Sequence, residues 1–96
     1  MPPRDALRSF AVRRGEPLDT DALRAFCEGA GYRLDERVDE PGEVAVRGEV
    51  VDLFDPDEGW PFRIEFNGGV QAIRRYDPAT QLSVEELTEL DIDAAS

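Results

Sequence analysis

The chain has 96 residues, with 22 acids against 11 arginines, no lysine, no histidine and one cysteine, for a net charge of -11. That length supports one domain with one modest core, and a hydrophobic content of 41% places the chain among folded rather than disordered proteins. Without histidine or lysine there is no serine–histidine triad, no ordinary zinc site, no Schiff base and no Walker phosphate loop, and the charge has the wrong sign for nucleic acid or an anionic membrane.

The N-terminus, Met1 to Asp5, lacks the apolar core of a signal peptide, and no run approaches a membrane span. A lone Cys27 cannot form an internal disulfide, so a reducing cytoplasm is expected. Arg8 to Arg14 alternates loosely and stops at Gly15-Glu16-Pro17, a short strand closed by a turn. Asp19-Thr20-Asp21 then caps a helix over about 20–30, with Ala22, Leu23, Phe26, Cys27 and Ala30 on one stripe and Gly31 as its stop. Cys27 sits on that stripe with no base to activate it, so it reads as a small core residue.

After Gly31 the period changes to two. Tyr32–Val38 is expected as a strand, Asp39–Gly42 as a turn, and Glu43–Phe54 as one long strand with Gly48 at its middle. In that strand Val44, Val46, Val50 and Phe54 share one face, and Ala45, Arg47, Glu49, Val51 and Leu53 the other; a bulge at Gly48 would slip this parity by one. Asp55 to Pro61 is an acidic loop whose Asp55, Asp57 and Glu58 lack the glycine and distal glutamate of a helix–loop–helix calcium site, so it reads as a solvated turn; Trp60 either packs over the sheet edge or is exposed to a partner, with packing preferred. Phe62–Phe66, the Asn67-Gly68-Gly69 turn and Val70–Tyr76 form a hairpin. Either turn register sets Phe62, Ile64, Phe66 and Ile73 on one face and Arg63, Glu65, Arg74 and Tyr76 on the other. Asp77 to Thr80 is a turn, Ser83-Val84-Glu85-Glu86 is a capping box opening a helical turn to about Leu90, and Asp91–Ser96 reads as a fraying acidic tail with room for a short extended piece.

The expected fold is a single α+β domain over 1–96. It has a mostly antiparallel sheet of four to five strands, one face covered by the helix at about 20–30 and helped by a short C-terminal helical turn. Carboxylate pairs among Asp52, Glu65 and the loop acids are formally available for acid–base work, but nothing marks any two as convergent, and no enzyme activity, cofactor or metal is expected. Most arginines read as solvated partners of nearby acids. Arg47 and Arg63 differ, because each interrupts an alternating strand at its centre on the face away from the core, where a planar fork can anchor a partner's carboxylate.

Three spaced blocks in order, Pro41 to Phe54, Pro61 to Phe66 and Ala72 to Gln81, resemble the UvrA-binding domain shared by bacterial transcription-repair coupling factors and the excinuclease subunit UvrB. Ala30-Gly31-Tyr32 and Ser83 to Glu86 are similar to the coupling-factor version. The resemblance implies a non-catalytic module of nucleotide excision repair that docks on UvrA through a polar sheet surface. It places family contact arginines at Arg47 and Arg63 and an accompanying acid at Glu65. The family usually follows its Glu-Phe with a second aromatic and an acidic turn, where this chain has Asn67-Gly68-Gly69.

These readings make the chain a monomer in isolation that binds UvrA but neither DNA nor membrane, as a fragment of a coupling factor or a stand-alone module. Replacing Arg47 and Arg63 with alanine is expected to abolish UvrA capture with little change in thermal stability. The rival readings are a degenerate module serving another partner, and an acidic DNA mimic that inhibits a basic protein.

Overall fold

The structure, a computed structural model, describes residues 9–94. Its elements in order are β1 (Ser9–Arg13), α1 (Thr20–Gly29), β2 (Arg33–Leu34), β3 (Glu43–Arg47), β4 (Val50–Leu53), β5 (Phe62–Phe66), β6 (Val70–Tyr76), β7 (Ser83–Leu87) and β8 (Glu89–Asp93). Arg8, where the first strand was expected to open, lies outside the described residues.

The α+β class and the mostly antiparallel sheet are as expected, but the strand count is higher. The main sheet has six strands in the order β2-β3-β4-β5-β6-β7, and a second sheet pairs β1 with β8. Among the described strands, β2 alone pairs in parallel, with β3.

The helix forms where its cap and stripe place it. The Asp19 carboxylate accepts from Ala22 N–H at 3.1 Å, satisfying one of the first-turn donors. The stripe turns Leu23 and Cys27 inward, both fully buried. Burial pushes the Cys27 thiol up to about 12, so it sits in the core as a protonated, inert side chain. Around it pack Val44, Val51, Leu53, Phe62, Ile64 and Ile73 from the main sheet, and Val12, Leu90 and Ile92 from the small one.

The expected long strand Glu43–Phe54 is a hairpin. Gly48 takes φ +56 and forms a tight turn with Glu49, so that Arg47 pairs with Val50 and Ala45 with Asp52. The left-handed backbone at Gly48 is what glycine allows at little cost. The turn shifts parity by one: Val51 and Leu53 join Val44 and Val46 on the core face, while Val50 and Asp52 join Ala45 and Arg47 on the other. The expected strand Tyr32–Val38 shrinks to two residues, held to β3 by Arg33 N–H to Gly42 O (2.8 Å) and Asp35 N–H to Val44 O (2.9 Å).

The β5–β6 hairpin takes the expected faces. Ile64 lies opposite Ile73 and Arg63 opposite Arg74, with a bulge beside the turn that keeps the parity. The C-terminal helical turn is replaced by two strands. The capping box offers one local turn, whereas β7 gains a full ladder against β6 with Glu85 opposite Arg75 and Glu86 opposite Arg74. Asp91–Asp93 is likewise no fraying tail. Leu90 and Ile92 alternate inward opposite Val12 and Phe10, and Ile92 is fully buried.

The acids of the 55–61 loop staple that loop together. Asp55, only 2% exposed, accepts from Asp57 N–H at 2.9 Å and from Asp93 N–H at 3.3 Å, tying β8 to the main sheet. Burial pushes its carboxyl above the usual range. Glu58 pairs with Arg75, whose guanidinium lies over the Phe62 ring. Trp60, expected to pack on the sheet, is exposed. Among the described residues no His, Cys, Asp and Glu side chains gather as a metal site, and no helix is long and apolar enough to cross a membrane.

The strand assignment of β8 gives a direct expectation. Ile92→Ala should cost about 3 kcal/mol in urea unfolding, as a core truncation does, whereas a frayed tail would lose almost nothing.

Candidate protein-binding site

The face of the main sheet opposite α1 is organised around one buried charge. Asp52 on β4 is 2% exposed and lies directly opposite Arg63 on β5. Arg63 grips it with two bonds, Nε to Oδ1 at 2.7 Å and Nη2 to Oδ2 at 2.9 Å. Arg47 Nη2 reaches the same Oδ2 at 2.8 Å. A carboxylate out of water needs this much compensation, and the doubly bonded fork is the strongest form that a side chain offers.

The surrounding residues hold the arginines in place. The Arg63 guanidinium lies 4.2 Å from the centre of the Tyr76 ring, a cation–π stack. Its Nη2 also donates to Gln81 Oε1 at 2.8 Å. The Asp52 bonds hold Arg63 above its ordinary pKa, so it is charged under all working conditions. Burial, with Asp52 nearby, pushes the Tyr76 phenol up to about 12. Beside this cluster, Arg74 pairs with Glu65 and, at 3.4 Å, with Glu86.

All three expected site residues stand on this one face. Arg47, Glu65 and Arg63 line a shallow groove of about 500 Å³ together with Arg74, Tyr76 and Gln81. Two expectations change. Arg63 is not a free fork, since its side chain is only 24% exposed and its bidentate edge is spent on Asp52; Arg47, at 51%, is the accessible one. Removing Arg63 therefore strands a buried carboxylate, and the expectation that the Arg47/Arg63 double alanine variant leaves stability unchanged is withdrawn. Glu65 is likewise committed to Arg74.

Asp52, Arg74, Tyr76 and Gln81 are the members that sequence reading did not assign to the site, although it placed Arg74 and Tyr76 on this face. For Asp52 the signal was present: had Arg47-Gly48-Glu49-Val50 been read as a hairpin turn, Asp52 would have fallen on the face of Arg47. Asp52 and Glu65, the strand acids formally available for acid–base work, are each bonded to arginine.

The six-stranded sheet thus carries its core on one side and fixed arginines over a shallow open groove on the other. The family model described as the UvrB interaction domain matches residues 10–96, and the chain belongs to that family. It is 38% identical over 82 residues to a transcription-repair-coupling factor of Haemophilus influenzae, 33% over 85 residues to that of Escherichia coli, and 34% over 93 residues to that of Myxococcus xanthus. These matches cover 84%, 88% and 94% of this chain but only 7–8% of each relative. The chain thus corresponds, as an interaction domain, to one small part of much longer proteins.

The Asp52–Arg63 pair is tested by a double-mutant cycle in urea. Asp52→Leu and Arg63→Met are each expected to destabilise by about 3 kcal/mol, and the double variant by clearly less than their sum. Additive losses would show that the two charges do not depend on each other.

Proposed function

We propose that this chain recognises UvrA through the polar face of its main sheet, and so acts in nucleotide excision repair, including its transcription-coupled branch, in the cytoplasm. The observation that carries the reading is the convergence of Arg47 and Arg63 on Asp52. Two positions to which family resemblance gives a partner-contacting role meet on one open face, with Glu65 beside them. The face is suited to a polar partner. Arg47 keeps most of its donors free, Arg74 and Glu65 add one charge of each sign, and Val50 gives the groove an apolar floor.

The role is binding rather than catalysis. With no lysine in the chain there is no Walker loop, so ATP hydrolysis and translocation belong to other parts of a coupling factor. UvrA contributes the damage recognition, and this module contributes attachment. The excess of acid on the chain argues against direct DNA contact.

A second reading, a different protein partner, draws on the β5–β6 turn. Asn67 N–H bonds Gly69 O at 2.9 Å in a tight loop that sets no second aromatic after Phe66. An apolar anchor there would strengthen docking, and its loss weakens attachment to a partner shaped for it.

Arg47→Ala separates binding from folding, because Arg47 is the exposed partner of Asp52. In a surface-capture assay the variant should lose at least about tenfold in UvrA affinity, while its unfolding free energy falls by no more than about 1 kcal/mol. Undiminished capture would remove UvrA recognition from this face.

A further inference from the structure

Among the described residues, Gln81 is the one non-glycine residue with a positive φ, at +65. A long side chain in the left-handed region is strained, and glycine or asparagine would sit there more easily. Such strain persists where the side chain does something that the backbone alone does not.

The Gln81 amide makes two bonds, and both fix its orientation. Oε1 accepts from Arg63 Nη2 at 2.8 Å, and Nε2 donates to Pro78 O at 3.0 Å. An arginine can only donate and a carbonyl can only accept, so the amide cannot be turned over. The loop itself does not need this amide. Gln81 N–H bonds Asp77 O at 2.7 Å, Asp77 N–H bonds Leu82 O at 2.9 Å, and Ala79 N–H bonds the Asp77 carboxylate at 2.8 Å.

For Arg63 the amide matters more. Nε and one hydrogen of Nη2 go to Asp52, and the other Nη2 hydrogen goes to Gln81. The Tyr76 ring covers one face of the guanidinium. Among the described residues Nη1 makes no hydrogen bond, while the bonds through Nε and Nη2 hold the guanidinium in rotation. Gln81 also lies in the wall shared by the groove of about 500 Å³ and its neighbour of about 280 Å³, together with Arg47, Arg63 and Tyr76.

We infer that Gln81 is a positioning residue for partner binding: held in a strained left-handed conformation, it orients the Arg63 guanidinium so that Nη1 faces the docking groove. The inference rests on the reading of this face as the UvrA-binding surface. The geometry requires a hydrogen-bond acceptor on the partner opposite Nη1, and a carboxylate or backbone carbonyl supplies one.

The test uses Gln81→Gly, which relieves the backbone strain while removing the amide, with Gln81→Glu as the variant that keeps an acceptor. The glycine variant should melt at or above the temperature of the parent chain, yet bind UvrA about tenfold more weakly. The glutamate variant should stay within about threefold of the parent. Nitrogen-15 relaxation of the Arg63 Nε–H group, measured on the free chain, should show increased motion in Gln81→Gly and none in Gln81→Glu. Unchanged UvrA affinity in the glycine variant, or an Arg63 side chain as rigid there as in the parent, overturns the positioning role. If the parent chain fails to bind UvrA, the functional reading falls, and the relaxation measurement still decides whether Gln81 orients Arg63.

Discussion

Asp52 is a carboxylate placed where water cannot reach it, at the centre of a sheet whose other face carries the main core. A lone charge in that position would be expelled or neutralised, so the strands on either side must supply cations within bonding distance. Arg63 comes from directly across on β5 and Arg47 from β3, and their positions follow from the registers of the β3–β4 and β4–β5 pairs. The same requirement recruits Tyr76 and Gln81, which hold Arg63 from β6 and from the loop after it. A single buried acid thus fixes the groups that a partner would meet, and a preformed arrangement spares the partner the entropy of ordering them.

The acidity of the chain takes on a different meaning in this light. Eleven arginines are too few to neutralise 22 acids, and among the described residues Arg13, Arg33 and Arg37 pair with exposed acids at the surface. Arg47, Arg63 and Arg74 gather on one face, and Arg75 is drawn to the opposite side by Glu58 and Glu85. With these arginines matched to Asp52, Glu65 and Glu86, the face carries charges of both signs in fixed positions, which favours a partner whose own charges complement that pattern.

Much of this was legible in the sequence. The 20–30 helix declared itself by its cap and stripe, and the β5–β6 hairpin by Asn67-Gly68-Gly69 between alternating runs, so Arg63, Glu65, Arg74 and Tyr76 fell on the right face. Arg47 was found for the same reason, since its strand begins before the irregularity at Gly48. Beyond Gly48 the reading failed: a two-residue turn and a bulged strand both contain a central glycine, and only the pairing of the two halves with each other distinguishes them. The C-terminal strands were missed because Ser83 to Glu86 carries a strong local helix signal, which the ladder to β6 and the burial of Leu90 and Ile92 outweigh. Gln81 could not be found from sequence at all, because nothing in its identity signals a left-handed backbone.

Hydrogen–deuterium exchange of the chain alone and in complex with UvrA bears most directly on the central claim that the Asp52-centred face is the docking surface. The account predicts new protection in the segments carrying Arg47, Asp52, Arg63 and Gln81, with α1 and the β1–β8 pair unchanged. Protection confined to α1 or to the β1–β8 pair, with the Asp52 face exchanging as it does in the free chain, would contradict it.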